Sequence, residues 1–364
     1  MVSLRVDGLR KSFPGVIALD GIDLDVREGE YVVILGPTGA GKTTLLKTIA
    51  GLAWQDSGHI YFDQERVDTL MPFQRSVAYL PQNYSLFAHL TVWENVAFGP
   101  TVQDWSPRRR DQIVREMLNL VHLSDRRNSY PRELSGGMQQ RVALARALAT
   151  QARILLLDEP LRALDARLRL ELRQELRTLA KYLGITTLHV THDQEEAISV
   201  ADRIVIIRKG KVVQAGSPKE VYEDPSTPFV SNFIGEANFL QGLLSRVEDG
   251  FSVIMLSDGR HVMGRPTNVP VNSQVALGVK TDFCNVYYGK VEGQNSFTGT
   301  VVRSLFTGKR TTLEIQTGQG LLKAKVPSDQ SLSEGSEATL RFQPENGIVY
   351  AIPNEGLQVA LEVE

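Results

Sequence analysis

The chain has 364 residues, 42% hydrophobic and 23% charged, a balance that suits a globular protein with more than one core and excludes a disordered chain. A formal net charge of -2 gives no global electrostatic case for binding nucleic acid, so no nucleic-acid partner is expected. The single cysteine, Cys284, excludes an internal disulfide and a cysteine-rich metal site, and no apolar run approaches the ~18 residues of a membrane span.

In chain order, MVSLRVDGLRK alternates like a half-buried strand and lacks the layout of a secretion signal. The chain is therefore expected inside the cell, with any membrane contact made through a partner. Ile22, Leu24 and Val26 point one way while Asp23 and Asp25 point the other, a second strand. YVVIL at Tyr31 to Leu35 is apolar throughout, as a central strand of a parallel sheet covered on both faces must be. It runs into GPTGAGKTT, Gly36 to Thr44, and a helix predicted over Thr43 to Ala50. Gly36, Gly41, Lys42 and Thr43 complete the phosphate-loop pattern between strand and helix. The glycines let backbone amides wrap phosphates, Lys42 neutralises the β- and γ-phosphates, and the Thr43 hydroxyl sits on magnesium.

ELSGGMQQR, Glu133 to Arg141, is a second backbone-amide cluster able to hold an anion, in a chain with only one nucleotide loop. Within one subunit it also reads as a helix capped by Ser135 and packed on Met138, Val142, Ala145 and Ala149. ILLLDEP then supplies a second buried strand. Asp158 at its end can reach Mg²⁺ through water, and Glu159 beside it can orient or deprotonate the attacking water. Taken alone, the same acid pair could merely cap a following helix. Leu168, Leu172, Leu176, Leu179 and Leu183 recur at helical spacing ahead of a third strand, TTLHVT. Gln82 in YLPQNYSLF and His192 in HVTHDQEEA fall where parallel strands end beside the phosphate loop, and both can hydrogen-bond phosphate or water. RIVIIRKGKVV forms a hairpin turned at Lys209-Gly210. DPSTPFVSNFIGE, Asp224 to Glu236, reads as the exit from the first domain.

From Asn238 onward short alternating segments form a β domain. Its halves, FLQGLLSRVEDGFSV to VALGVKTD and FTGTVVRSLFTGKRTTLEI to ATLRFQPE, suggest two repeated barrel-like units, unless the likeness is a coincidence among short strands.

GPTGAGKTT, LPQ, ELSGGMQQR, ILLLDEP, LRALD and VTHDQ occur in an order and spacing that resembles the ATPase subunit of ABC transporters, over residues 1 to 236. The tail, 237 to 364, is similar to the paired small barrels (TOBE-like) of importer ATPases of the sugar, polyamine, iron, sulfate and molybdate group. The resemblance implies an α/β, P-loop ABC-type ATPase with a mostly parallel sheet and a helical subdomain, followed by an all-β OB-like domain. It implies ATP and Mg²⁺ as cofactors and a nucleotide held by Gly36, Pro37, Thr38, Gly39, Ala40, Gly41, Lys42, Thr43 and Thr44. Thr43, Gln82 and Asp158 would meet the metal, with Glu159, His192, Gln82 and Lys42 in the hydrolytic step. Phe13 would stack on adenine, a role supported only by KSF and its distance from the loop.

In that family two ATPase domains close head to tail, so that Ser135, Gly136 and Gly137 would cap the γ-phosphate held by the other copy, and Asp165 would bridge the subunits. The implied assembly is a homodimer on the cytoplasmic face of the cell membrane. It drives integral-membrane permease subunits and, through them, serves an extracytoplasmic solute-binding protein. Tyr84, Phe87 and Trp93 lie in the region that receives the permease's coupling helix, although a core role suits them equally. GEYVVILGPTGAGKT and QNYSLF look more like molybdate or tungstate importers than sugar importers. Three features depart from the pattern: Met138 after the paired glycines, Arg162 where a small residue is common, and Lys280, Thr281 and Asp282 in place of an Arg-Pro-Glu. The rival soluble ABC-type ATPases of DNA repair or ribosomes would need a coiled-coil insertion or a second ATPase domain, and neither is present. A second rival makes the tail an oxyanion- or regulator-sensing unit that ATP hydrolysis serves.

Overall fold

The computed structural model describes residues 2–162 and 164–362. The chain divides into two units, Met1–Lys219 and Glu220–Glu364.

The first unit begins with β1 (Leu4–Phe13) and β2 (Val16–Val26), which pair antiparallel and are joined by β4 (Ser57–Phe62) and β5 (Glu65–Arg66), in the order β2-β1-β4-β5. As the alternation requires, Ile22, Leu24 and Val26 face inward. The second sheet contains β3 (Tyr31–Leu35), β6 (Val77–Leu80), β7 (Ile154–Asp158), β8 (Thr186–Val190), β9 (Arg203–Arg208) and β10 (Lys211–Gly216). Its order is β10-β9-β3-β8-β7-β6, parallel except for the β10 edge. Every residue of β3, β7 and β8 is buried, which is why YVVIL and ILLL show no alternation. Lys209 and Gly210 between β9 and β10 have φ of 48° and 74°, the two left-handed positions that a tight hairpin turn demands.

Helix α1 (Lys42–Ile49) follows β3 directly. Three helices, α2 (Val92–Val102), α3 (Pro107–Leu120) and α4 (Gly136–Ala149), pack through Val96, Val114, Met117, Val142 and Leu148 into a second core that includes Leu155 and Leu157 of β7. Tyr84 and Trp93 pack against this core as partly buried residues. Phe87 lies with its ring centroid 4.4 Å from that of the exposed Phe98. Helices α5 (Ala166–Tyr182) and α6 (Gln194–Val200) flank β8 in sequence and pack on β3. Among the described residues, no helix is long and apolar enough to cross a membrane.

The division falls after Lys219, ahead of the boundary expected after Glu236. Helix α7 (Pro218–Glu223) leads into α8 (Pro228–Phe233), where a turn-rich exit is expected from sequence. Thr227 caps α8, Pro228 starts it, and Phe229, Val230 and Phe233 are buried on the tail, so the segment folds with the β domain.

The tail continues with β11 (Ala237–Glu248), β12 (Phe251–Leu256), β13 (His261–Gly264), β14 (Gln274–Lys280), β15 (Asn285–Tyr288), β16 (Ser296–Phe306), β17 (Arg310–Thr317), β18 (Gly320–Pro327), β19 (Glu337–Arg341), β20 (Gly347–Ala351) and a short α9 (Leu357–Leu361). The sheets run β13-β12-β11-β14-β20 and β18-β17-β16-β19-β15. The second repeats the first, each long leading strand bulging at the same place, between Leu244 and Arg246 in one and Val301 and Arg303 in the other. The repeat is therefore structural. The halves are not separate barrels: β20 closes the first sheet and β15 the second, and Leu240, Leu277, Phe297, Leu313 and Leu340 share one core.

The corner that departs from Arg-Pro-Glu is engaged within this unit. The Lys280 ammonium donates to the carbonyls of Ser231, at 2.8 Å, and Ile234, while Asp282 accepts from Tyr222 at 2.9 Å and pairs with Arg310.

Candidate functional site

The carboxyl ends of the neighbouring parallel strands β3, β8, β7 and β6 lie at one edge of the sheet, the place where open α/β sheets bind ligands. Leu80 is in register with Leu157, and Asp158 with Val190. The residues just beyond each strand are thereby gathered: the Gly36 loop after β3, His192 after β8, Glu159 after β7 and Gln82 after β6.

The loop needs glycine for reasons of space. A Cβ on Gly36 would stand 2.2 Å from the Ile207 carbonyl oxygen, and one on Gly41, at φ 102°, 2.2 Å from that of Ala18. Both contacts are with backbone, so neither neighbour can turn aside. Gly41 caps α1 without a side-chain bond, leaving the first helical amides and the positive end of the helix dipole to an anion. A cleft of about 570 Å³ opens over them. It is lined by Thr38 to Thr44, by Phe13, Val16 and Ala18 from the first sheet, and by Gln82, Glu159, Arg162 and His192. Gly36 and Pro37 are not among the lining residues; their carbonyls each accept a 2.8 Å hydrogen bond from Lys42 Nζ. Burial pulls the Lys42 pKa below the ordinary lysine value, and the charges of Glu159 and Asp158 oppose that shift.

Asp158 is 1% exposed. Its Oδ1 accepts from the Thr43 hydroxyl at 3.0 Å and its Oδ2 from the Tyr79 hydroxyl at 3.3 Å. Burial raises its pKa, and the two hydroxyl bonds hold it back. Tyr79 is a site residue that sequence reasoning missed; its one signal is a phenol within the otherwise apolar VAYL strand. A hydroxyl and a carboxylate 3.0 Å apart are hard oxygen donors of the kind Mg²⁺ takes when substrate phosphates and water complete its shell. Among the described residues there is no cluster of three or more acidic, histidine or cysteine side chains that could hold a metal without such help.

Glu159 stands at φ 53°, a left-handed position unusual for a residue with a side chain, and strain of this sort concentrates at functional sites. Its backbone is held from both sides: its N–H donates to the Val190 carbonyl at 2.9 Å, and its carbonyl accepts from Gln140 at 3.3 Å. The carboxylate takes Gln82 Nε2 at 3.2 Å and Arg162 Nη1 at 2.9 Å on Oε2, while Oε1 lies 3.4 Å from His192 Nδ1. Arg162, noted in the sequence only as a departure, is thus part of the site. The turn bearing His192 is fixed from behind: the Thr191 hydroxyl donates to the buried Glu196 at 2.6 Å and accepts from the Asp193 amide at 3.1 Å.

Ser135, Gly136 and Gly137 are not among the residues lining this cleft. Ser135 caps α4 through a 3.4 Å bond from the Met138 amide, and both Ser135 and Gly136 are exposed. Beyond the cap, α4 buries Val142, Ala145 and Ala149 in the helical core with Met138 partly buried against it. Asp165 likewise caps α5, accepting from the Leu168 amide at 3.0 Å.

A parallel sheet that ends in such a loop, with an acid pair on the adjacent strand, defines the class of P-loop ATPases. The chain matches the ABC transporter family over residues 19–162 and the TOBE domain over residues 292–349. It is similar to the spermidine/putrescine import ATP-binding protein PotA of Pseudomonas fluorescens, with 41% identity over 90% of this chain and 91% of the relative. It is also similar to the sulfate/thiosulfate import ATP-binding protein CysA of Bradyrhizobium diazoefficiens, with 42% identity over 93% of this chain and 97% of the relative. A solved dimeric structure of an ATP-binding cassette in a post-hydrolysis state, bound to ADP and Pi, matches 59% of this chain and 98% of its own, with a TM-score of 0.55 and 32% identity. The chain belongs to the ABC transporter family, as an ATP-binding import subunit and ATPase with a TOBE region. The expectation of a molybdate or tungstate importer finds no support in these relatives.

Proposed function

We propose that the protein hydrolyses MgATP as a homodimer on the cytoplasmic face of the membrane and thereby drives permease subunits that import a solute, in concert with an extracytoplasmic binding protein. The amides of Thr38 to Thr44 and the Lys42 ammonium bind the triphosphate, and Phe13, 48% exposed at the cleft rim, stacks on adenine. Thr43, Asp158 and Gln82 would hold Mg²⁺, which would supply neutralisation of the phosphate charge. Glu159 takes a proton from water as the water oxygen bonds to the γ-phosphorus and the bond to the bridging oxygen breaks, releasing ADP; His192 and Lys42 donate to the phosphoryl oxygens. The polyamine and sulfate relatives are equally similar, so a solute of either kind is compatible with this chain, and the choice between them resides in the permease.

The observation that carries the dimeric part is the separation within one chain of two phosphate grips. The Gly36 loop gathers its partners in a cleft, while Ser135 to Gly137 are not part of its lining, Ser135 and Gly136 being exposed and Gly137 half-buried. The second grip therefore serves the neighbour's ATP. Lys42→Ala spoils a subunit's own loop, and Ser135→Arg spoils what it offers the other. A heterodimer of these two mutants regenerates one sound site from the intact Lys42 loop of one and the intact Ser135 of the other. Differently tagged chains purified as the heterodimer should regain analogue-induced closure and single-turnover hydrolysis relative to both mutant homodimers. A heterodimer no better than either homodimer rejects the shared site.

A further inference from the structure

We infer that Arg162 is a positioning residue that restrains the Glu159 carboxylate and so slows hydrolysis in a subunit that is not driven closed. The inference rests on Glu159 acting as the base.

Arg162 follows Glu159 by three residues on a turn whose backbone is held in place. The Arg162 amide donates to the Glu159 carbonyl at 3.4 Å, and Arg169 donates to the carbonyls of Arg162 at 3.4 Å and Leu164 at 2.9 Å. From this mount the guanidinium reaches Glu159 Oε2 at 2.9 Å, the shortest of the polar contacts on that carboxylate. Gln82 occupies the same oxygen at 3.2 Å. A carboxylate oxygen offers two lone pairs. With Arg162 and Gln82 both in place, Oε2 has none left for the proton of an attacking water, and Oε1 faces His192. Release of either donor opens a lone pair on Oε2, and Oε1 keeps one beside His192, so Arg162, the shorter and the charged contact, restrains the carboxylate without closing it to water.

The exposures set the strength of this restraint. Glu159 has a side chain 14% exposed, but that of Arg162 is 58% exposed, so its charge stays largely hydrated and its release is easy. The pair is therefore a modest brake that salt weakens, rather than a lock. Arg162 also lines the cleft, so a change in the turn that carries it, or in the charge opposite it, moves it off the base. A direct role on phosphate makes the opposite prediction, because loss of a cation there would weaken ATP binding and slow the reaction.

The test compares steady-state hydrolysis by the full-length wild type, Arg162→Ser, Arg162→Lys and Glu159→Gln at saturating MgATP, at ~0.03 M and ~0.5 M salt, a range over which the screening length shrinks severalfold. Arg162→Ser should raise kcat by roughly 1.5- to 5-fold at low salt, the span open to an exposed ion pair, with the KM for ATP unchanged. The excess should fade at high salt as the wild type loses its restraint, and Arg162→Lys should return most of the way to wild type. A low-salt kcat of Arg162→Ser at or below that of the wild type, a raised KM, or an excess independent of salt overturns the proposal. Glu159→Gln separates the two levels: hydrolysis at the wild-type rate there removes the base itself, whereas a silent Arg162→Ser beside an inactive Glu159→Gln removes only the brake.

Discussion

Replacing Arg75 with methionine tests how firmly the phosphate loop's helix is anchored. Arg75 is 2% exposed. Its Nη1 donates to the carbonyls of Thr48 and Ile49 at 2.9 Å each, its Nε to Leu70 at 3.0 Å and its Nη2 to Asp68 at 3.3 Å. Thr48 and Ile49 end α1, the helix that begins at Lys42, so the guanidinium satisfies C-terminal carbonyls and sits at the negative end of the helix dipole. Methionine fills similar space and donates nothing. Thr48 keeps an amide from Gly51 at 3.1 Å, but the guanidinium bonds of Ile49, Leu70 and Asp68 are lost. Each buried carbonyl left unpaired costs ~1–3 kcal/mol. Removing a desolvated cation, whose pKa burial already lowers, returns part of that, for a net loss of about 2–4 kcal/mol. The three tryptophans, Trp54, Trp93 and Trp105, all lie in the first unit, so their fluorescence in urea follows that unit alone. At ~1–3 kcal/mol per molar of urea, the midpoint should fall by about 1 M or more, and affinity for an ATP analogue should fall with it. Arg75→Lys, with three donors, should lose less. A midpoint for Arg75→Met equal to that of the wild type would refute the anchoring argument.

Glu159→Gln should lower hydrolysis by roughly 10²- to 10⁴-fold, the range for removing a general base, while ATP binding persists and the protein gathers as an ATP-bound dimer on gel filtration with MgATP. In the second unit, burial pushes the Lys280 ammonium from 10.5 down to about 8, against the opposing charge of Asp282. Between those values the unfolded chain binds the extra proton, so stability should rise with pH from about 8 to 10.5, by roughly 3 kcal/mol at ~1.4 kcal/mol per unit, and stay level at its lower value below about 8, where both states carry the proton. The difference between wild type and Lys280→Met in denaturation followed by far-UV circular dichroism isolates this slope, and equal pH profiles for the two proteins would reject it.

What the sequence determined by itself is the content of short, strongly constrained segments. YVVIL and ILLL had to be central parallel strands, because only strands covered on both faces are apolar at every position. Gly36 and Gly41 announced a backbone bent around phosphate, and the reason is visible in the backbone oxygens 2.2 Å from any added Cβ. The acid pair was legible because it ends such a strand. Tertiary structure decided what depends on distant partners. Local turn chemistry suggested a linker between Asp224 and Glu236, but Phe229, Val230 and Phe233 bury against the β domain, and burial outweighs turn preference. The repeat in the tail could be suspected from its strands, yet the exchange of β15 and β20 between sheets leaves no local trace, since strand pairing is written in no single strand. Likewise Tyr79 and Arg162 were an unremarked phenol and an oddity in LRALD. Only the side-by-side ends of β6, β7 and β8 bring the first to within 3.3 Å of Asp158, and only the left-handed turn at Glu159 sets the second 2.9 Å from its carboxylate.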